Sequence, residues 1–231
     1  MMNYKYAYLT GCFIFGIIWT IIFIKRPDLR KEQLFMSIVI AFFGLTEPLF
    51  FNQYWKPEFI IQIPNFNLGF ESIILDFFYG GIAAVIYEYI FRDGLKYTRK
   101  VKKTERRKEI ILALISAVAL FFFFFAVLKL NIIYATSLEL FGLGAILLYF
   151  RHDLLLPSFV SGIIMAVLAF AILLLLEMLF PGLINSWWQI NLLSGITFLG
   201  IPIEEFLWHF ALGFGLGSIY EVWKGLKIIN N

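Results

Sequence analysis

The chain has 231 residues, of which 61% are hydrophobic and 15% charged, with a formal net charge of +3. Soluble proteins carry about a quarter charged residues, so this composition excludes a soluble fold, and no stretch of soluble composition is left over for a nucleic-acid-binding domain. The single cysteine, Cys12, excludes an intramolecular disulfide.

Apolar stretches of about 20 residues, enough to cross roughly 30 Å of hydrocarbon, recur along the chain. They predict an all-α integral membrane protein of one domain with seven transmembrane helices, at residues 4–24, 34–52, 67–91, 109–128, 131–150, 154–181 and 196–223. The first run lacks a small-residue cleavage site before KRPDLRKEQ, so it reads as a span and not as a signal peptide. With the N-terminus outside, sixteen of the nineteen Lys and Arg residues fall on the inner side. Nine of these lie between Arg92 and Lys108, and only Lys5, Lys56 and Lys129 fall outside. The positive charge thus orients the chain in a membrane, with the C-terminus inside, and carries no nucleic-acid signal. A multi-pass protein of the plasma membrane is expected, with lipids as its surroundings.

The third and seventh spans align without gaps at an offset of 133 residues. Glu71 falls on Glu204, Phe77 on Phe210, Gly80 on Gly213, Tyr87 on Tyr220 and Glu88 on Glu221, and upstream Trp55 falls on Trp188. Arg26-x-Asp28-Leu29 likewise meets Arg151-x-Asp153-Leu154, and Glu47-x-Leu49-Phe50 meets Glu177-x-Leu179-Phe180. Charged matches in one order predict a 3+1+3 parallel tandem repeat. Its parts are a first three-helix unit at 4–91, a basic inner loop and linking helix at 92–130, and a second unit at 131–223. Such repeats place binding sites between the copies. Trp55, Trp187 and Trp188 read by default as interfacial anchors.

Ionisable side chains at membrane depth are the sharpest functional signal, because a charge at the bilayer centre costs about 2.5–3.5 kcal/mol even on lenient scales. Glu47, Glu71, Asp76, Glu139, Glu177, Glu204 and Glu205 all lie at a similar level, with His209 deeper. Several acids at one level imply an enclosed polar site or carboxyls that share protons. Glu205 and His209 are four apart and share a helix face, while Glu204 projects with Trp208 about 100° away. Their equivalents in the first unit are Ser72 and Asp76, again four apart. Glu71 and Glu204 are each other's equivalents and are expected to approach across the repeat axis. Two carboxylates in one dry site do not readily both ionise, so one stays a proton donor at neutral pH. Pro202, two residues before Glu204, is expected to bend the helix and shape the site. Aromatic residues make up 19% of the chain, and their faces stabilise cations.

Pro202-x-Glu204-Glu205-Phe206, opening the last helix of a three-helix unit, resembles the Pro-x-Glu-Glu/Asp motif of the heterodimeric-type lycopene β-cyclases. In that family two homologous three-helix polypeptides, separate or fused in tandem, make the active unit, and the fused form would cover essentially this whole chain. The first unit departs from the pattern, with Asn67-x-Gly69-x-Glu71-Ser72 lacking the proline and the second acid. The resemblance implies a lipophilic polyene or isoprenoid substrate whose ψ end group is protonated, closes to a six-membered ring and loses a proton. That reaction involves no net redox change, and no cofactor or metal is implied. It casts Glu204, Glu205, His209, Glu71 and Asp76 as catalytic, with Glu204 as donor and Glu205, steadied by His209, as cation stabiliser or base, or the two glutamates exchanged. Glu47, Glu177, Glu139, Pro202, Phe206 and Trp208 would line or support the site.

A proton- or cation-coupled small-molecule transporter is the alternative, since a three-one-three parallel repeat also describes small transporters. Against it, the acids cluster at one level, and the first unit shows no matching helix break. A retinal-binding role is excluded by the absence of a mid-membrane lysine in the seventh span.

Overall fold

The computed structural model describes residues 4–91, 94–97 and 103–229. Arg92, Arg99, Lys100 and Lys102 of the basic loop lie outside them. In hydrocarbon every backbone N–H and C=O must be satisfied within its own segment, so apolar runs of this length fold as helices. The described chain is mostly helical, and six of its helices are long and apolar enough to cross a membrane.

A short 3-10 turn leads into α1 (Ala7–Lys25), which is followed by α2 (Arg30–Ala41). The second expected span is not one α-helix, because α2 tightens into a 3-10 stretch over Phe42–Thr46 before α3 (Glu47–Phe50). The cause is Pro48, which has no N–H for the carbonyl of Gly44. That carbonyl accepts instead from the N–H of Glu47, three residues on. Helix α4 (Phe70–Phe91) and strand β1 (Gly94–Tyr97) complete the first half. Helix α5 (Lys103–Phe122) begins earlier than the sequence suggests and runs on through a π-helical stretch to Val127. Left-handed Lys129 then reverses the chain, and Asn131 caps α6 (Ile132–Phe150) by accepting from the N–H of Ile133. Helices α7 (Leu155–Leu179) and α8 (Leu183–Trp187) follow.

The seventh expected span differs most. Residues Thr197–Phe198 (β2) and Ile201–Pro202 (β3) form a small hairpin closed by Leu199 and Gly200, both at positive φ. Helix α9 (Ile203–Leu216) starts only after it, breaks at Gly217–Ser218, and resumes as α10 (Ile219–Lys224). Pro202 therefore precedes the helix as its N-cap and does not kink it. A proline at this boundary withholds no N–H that the helix interior needs. Strand β4 (Leu226–Ile229) pairs antiparallel with β1.

Helix α4 packs against α1 and α2, and α9 packs against α6 and α7. Close approach is made possible by glycine. A Cβ on Gly80 would fall 2.7 Å from the carbonyl oxygen of Met36, and one on Gly213 would fall 2.6 Å from that of Ser161. Replacing Gly213 by alanine should therefore force α9 off α7. Overpacking of this kind costs about 1–3 kcal/mol, expected as a lowered melting temperature of the detergent-solubilised protein.

At the far end of these helices two arginines act alike. Arg26 forks onto Asp28 at 2.7 and 3.0 Å and donates to the carbonyl of Glu88. Arg151 forks onto Asp153 at 2.7 Å twice and donates to the carbonyl of Glu221 at 3.3 Å. The Arg26 guanidinium holds the Asp28 carboxyl below the usual carboxylate range.

Candidate active site

The polar residues near the start of α4 and α9 are sorted by the loops that precede those helices. Glu71 accepts from the backbone N–H of Ile60 at 2.6 Å and of Ile61 at 3.2 Å. Glu204 accepts from the N–H of Ser194 at 2.8 Å and from the Tyr134 hydroxyl at 2.5 Å, both on Oε1. Each carboxylate ties down its own preceding loop. Among the described residues the other oxygens, Oε2 of both, have no hydrogen-bond partner, so no carboxyl–carboxyl hydrogen bond joins Glu71 to Glu204.

Glu205 is different. Its Oε1 accepts from Trp188 Nε1 at 2.6 Å, and that indole N–H also points at the Tyr54 hydroxyl, 3.2 Å away. Its Oε2 lies 3.4 Å from Nδ1 of His209, one helical turn on. Nδ1 is closer still to the Glu205 backbone carbonyl, at 2.8 Å, and Nε2 faces the hydroxyl of Tyr79 on α4 at 3.0 Å. Glu205, His209, Trp188, Tyr54 and Tyr79 are all buried. The shared face of Glu205 and His209 is thus as the four-residue spacing predicts.

The tryptophans are not lipid anchors. The backbones of Trp55 and Trp188 bridge, Lys56 N–H donates to the Trp187 carbonyl at 2.7 Å, and Gln189 N–H donates to that of Tyr54 at 2.8 Å. These contacts zip the two Trp segments together and bring Trp55 within 5.4 Å of Trp188 and 5.3 Å of Tyr8, ring centroid to centroid. Burying four large rings at a helix junction removes several hundred Å² of apolar surface, which outweighs the interfacial preference of any one of them.

A second acidic group faces this enclosure from the first half. Glu47, at the start of α3, is buried near Trp55, with Asp76 of α4 near enough for their charges to interact. Asp76 also neighbours Tyr8, Cys12 and Tyr79. It is half-buried and, among the described residues, has no hydrogen-bond partner. Cys12 in turn lines a groove of about 740 Å³ between α1 and α4, whose walls include Phe13, Gly16, Ile17, Ile74 and Phe78.

Other expected residues lie elsewhere. Glu177 closes the end of α7, accepting from the N–H groups of Gly182 at 2.7 Å and Ile184 at 2.9 Å. Phe206 packs against Phe170 and Phe198. Glu139 sits half-buried on α6, with no hydrogen-bond partner among the described residues. Trp208 stands beside His209 and Tyr79, its indole N–H without a partner among the described residues. Sequence reasoning missed Tyr54, Tyr79 and Tyr134. It misread Trp188, although the match of Trp55 with Trp188 was the signal that could have found it.

The site therefore comprises a carboxyl group held by one oxygen, a histidine fixed at both ring nitrogens, and two further acids, Glu47 and Asp76, near enough to interact. Such a set can move a proton and stabilise a cation in a water-poor setting. Comparison with curated proteins and with solved structures finds no match. Comparison with family models matches residues 131–223, which hold Glu204, Glu205, His209 and Trp188, to lycopene cyclase. Over that segment the chain is similar to lycopene cyclase.

Proposed function

We propose that the chain is a membrane cyclase that closes the ψ end groups of a linear carotenoid such as lycopene through a carbocation. The observation that carries this reading is the Glu205 carboxyl within the matched segment, its Oε1 occupied by Trp188 and its Oε2 left open beside His209. A proton on this group belongs on Oε2, because Oε1 already accepts. Glu205 is the donor in this reading, and Glu204 anchors the loop that carries Ser194.

The steps balance. Glu205 Oε2 gives its proton to the terminal double bond of the end group, leaving a tertiary cation and a carboxylate. A second double bond attacks the cation, and a carbon–carbon bond closes the six-membered ring. Asp76, as carboxylate, takes a proton from the carbon next to the new cationic centre, and the electron pair of that C–H bond becomes the ring double bond. One proton enters and one leaves, so the product is an isomer of the substrate. Glu47 shares the acidic charge with Asp76, and the rings of Trp55, Trp188 and Tyr79 face the cation.

The polyene chain lies in the groove between α1 and α4, whose wall at Cys12 adjoins Asp76. Its volume is within the range of small-molecule pockets. Filling it with Ile17→Trp should raise the apparent KM for lycopene about tenfold with little change in kcat. An equal fall in kcat at unchanged KM would place the polyene elsewhere.

The two halves are read as a tandem repeat of three helices each around α5, with α9 and α10 together as the seventh span. Supporting this, Glu71 and Glu204 each accept from a backbone N–H ten residues earlier, at Ile61 and Ser194. Arg26 and Arg151 likewise each bond the carbonyl of equivalent residues, Glu88 and Glu221. The N-terminus then lies outside and the C-terminus inside the plasma membrane, as the lysine and arginine distribution favours.

Expression in a lycopene-accumulating host, followed by chromatography of the pigments, tests the function. Monocyclic or bicyclic carotenes are expected. Unchanged lycopene, with the protein folded in the membrane, would overturn the reading. In the same assay Glu204→Gln should keep activity within about fivefold, since the Gln carbonyl still accepts from Ser194 and Tyr134.

A further inference from the structure

We infer that Tyr79 is a positioning residue for the acid step, fixing the tautomer of His209 and through it the orientation of Glu205. Nδ1 of His209 lies 2.8 Å from the backbone carbonyl of Glu205. A carbonyl only accepts, so Nδ1 must carry a hydrogen, and in the neutral ring the lone pair is then on Nε2. The group facing Nε2, at 3.0 Å, is the Tyr79 hydroxyl. It must donate.

The consequence reaches Glu205. With Nδ1–H directed at the carbonyl, Nδ1 itself stands 3.4 Å from Oε2, the atom that becomes negative when the proton leaves. A ring free to rotate or change tautomer would instead present a lone pair to that oxygen. Tyr79 comes from α4 and His209 from α9, so the first half of the chain sets the hydrogen-bonding state of the acid in the second half. The packing of Tyr79 does not depend on its hydroxyl. Its ring makes edge contacts with Phe15 at 4.6 Å, His209 at 5.3 Å and Trp208 at 6.1 Å. Tyr79→Phe therefore removes the hydrogen bond and keeps the packing.

This inference rests on the proposed cyclase reading for its kinetic consequence, but its structural part is read without activity. The chain has two histidines, so nitrogen NMR of the imidazole-labelled protein, with His209→Gln to assign His209, reports the tautomer directly. The expected result is protonated Nδ1 and bare Nε2 in the wild type, and a mixture of tautomers in Tyr79→Phe. In carotenoid turnover Tyr79→Phe should lower kcat about 10–100-fold at nearly unchanged KM. The double variant with His209→Gln should be no worse than His209→Gln alone, because the two residues act in series. A wild-type spectrum with Nε2 protonated overturns the inference, as does an unchanged spectrum in Tyr79→Phe. Additive losses in the double variant do so too, since a merely structural tyrosine would behave that way. A wild type with the expected tautomer but no cyclised product on any linear carotene would instead sink the cyclase reading.

Discussion

Glu205→Gln should abolish cyclisation, lowering kcat by at least about 100-fold while leaving the protein folded and substrate binding nearly intact. The substitution preserves shape and the acceptor. The Gln carbonyl still takes the Trp188 N–H that Glu205 Oε1 accepts at 2.6 Å, so the tryptophan cluster has no reason to rearrange. What disappears is the transferable proton. General acids contribute about 10²–10⁴-fold. The comparison with Glu204→Gln is decisive because the two residues are adjacent in sequence. If Glu204→Gln silences the enzyme and Glu205→Gln does not, the roles are reversed. The assay is product per folded protein at saturating lycopene.

Asp76→Asn is expected to have the second largest effect, a fall in kcat of about 10²-fold. Asp76 is half-buried, and no hydrogen bond with the described residues restrains it. In the proposed reaction its carboxylate faces a cation that exists only after protonation, so its contribution appears in the transition state and hardly at all in binding. Loss of one such electrostatic group from a preorganised site is worth about 10²–10³. The amide can neither balance the positive charge nor accept the proton that ends the reaction. If Asp76→Asn raises KM with kcat unchanged, Asp76 holds the substrate equally in ground and transition states, and the terminal base is another group.

How much of this could be read from sequence depends on where each contact comes from. The Glu205–His209 pair was legible because four-residue spacing on a helix is local. So were the Arg26–Asp28 and Arg151–Asp153 pairs, since a charged pair in an apolar chain is conspicuous. Glu204 could not be separated from Glu205 in role, because its partners, Ser194 N–H and Tyr134, are set by the hairpin before α9 and by the neighbouring α6. The hairpin itself was hidden inside an apolar run, where hydropathy cannot tell a strand turn from a helix start. Pro202 signalled the boundary and was read as a kink. Trp188 followed the rule for interfacial tryptophans, yet the pairing of the two Trp segments buries it. Tyr79 is one of eleven tyrosines and became informative only once α4 was placed against α9.

The central claim is that a carboxyl proton, and not an oxidation, starts the chemistry. Mass spectrometry of the carotenes formed in heavy water under single-turnover conditions tests it most directly, with the reconstituted protein first equilibrated in that solvent. One deuterium per ring closed is expected, delivered from Glu205 Oε2, with no label in the lycopene that remains. Cyclic product without deuterium would contradict the account, and so would a product whose mass, apart from the label, differs from that of lycopene.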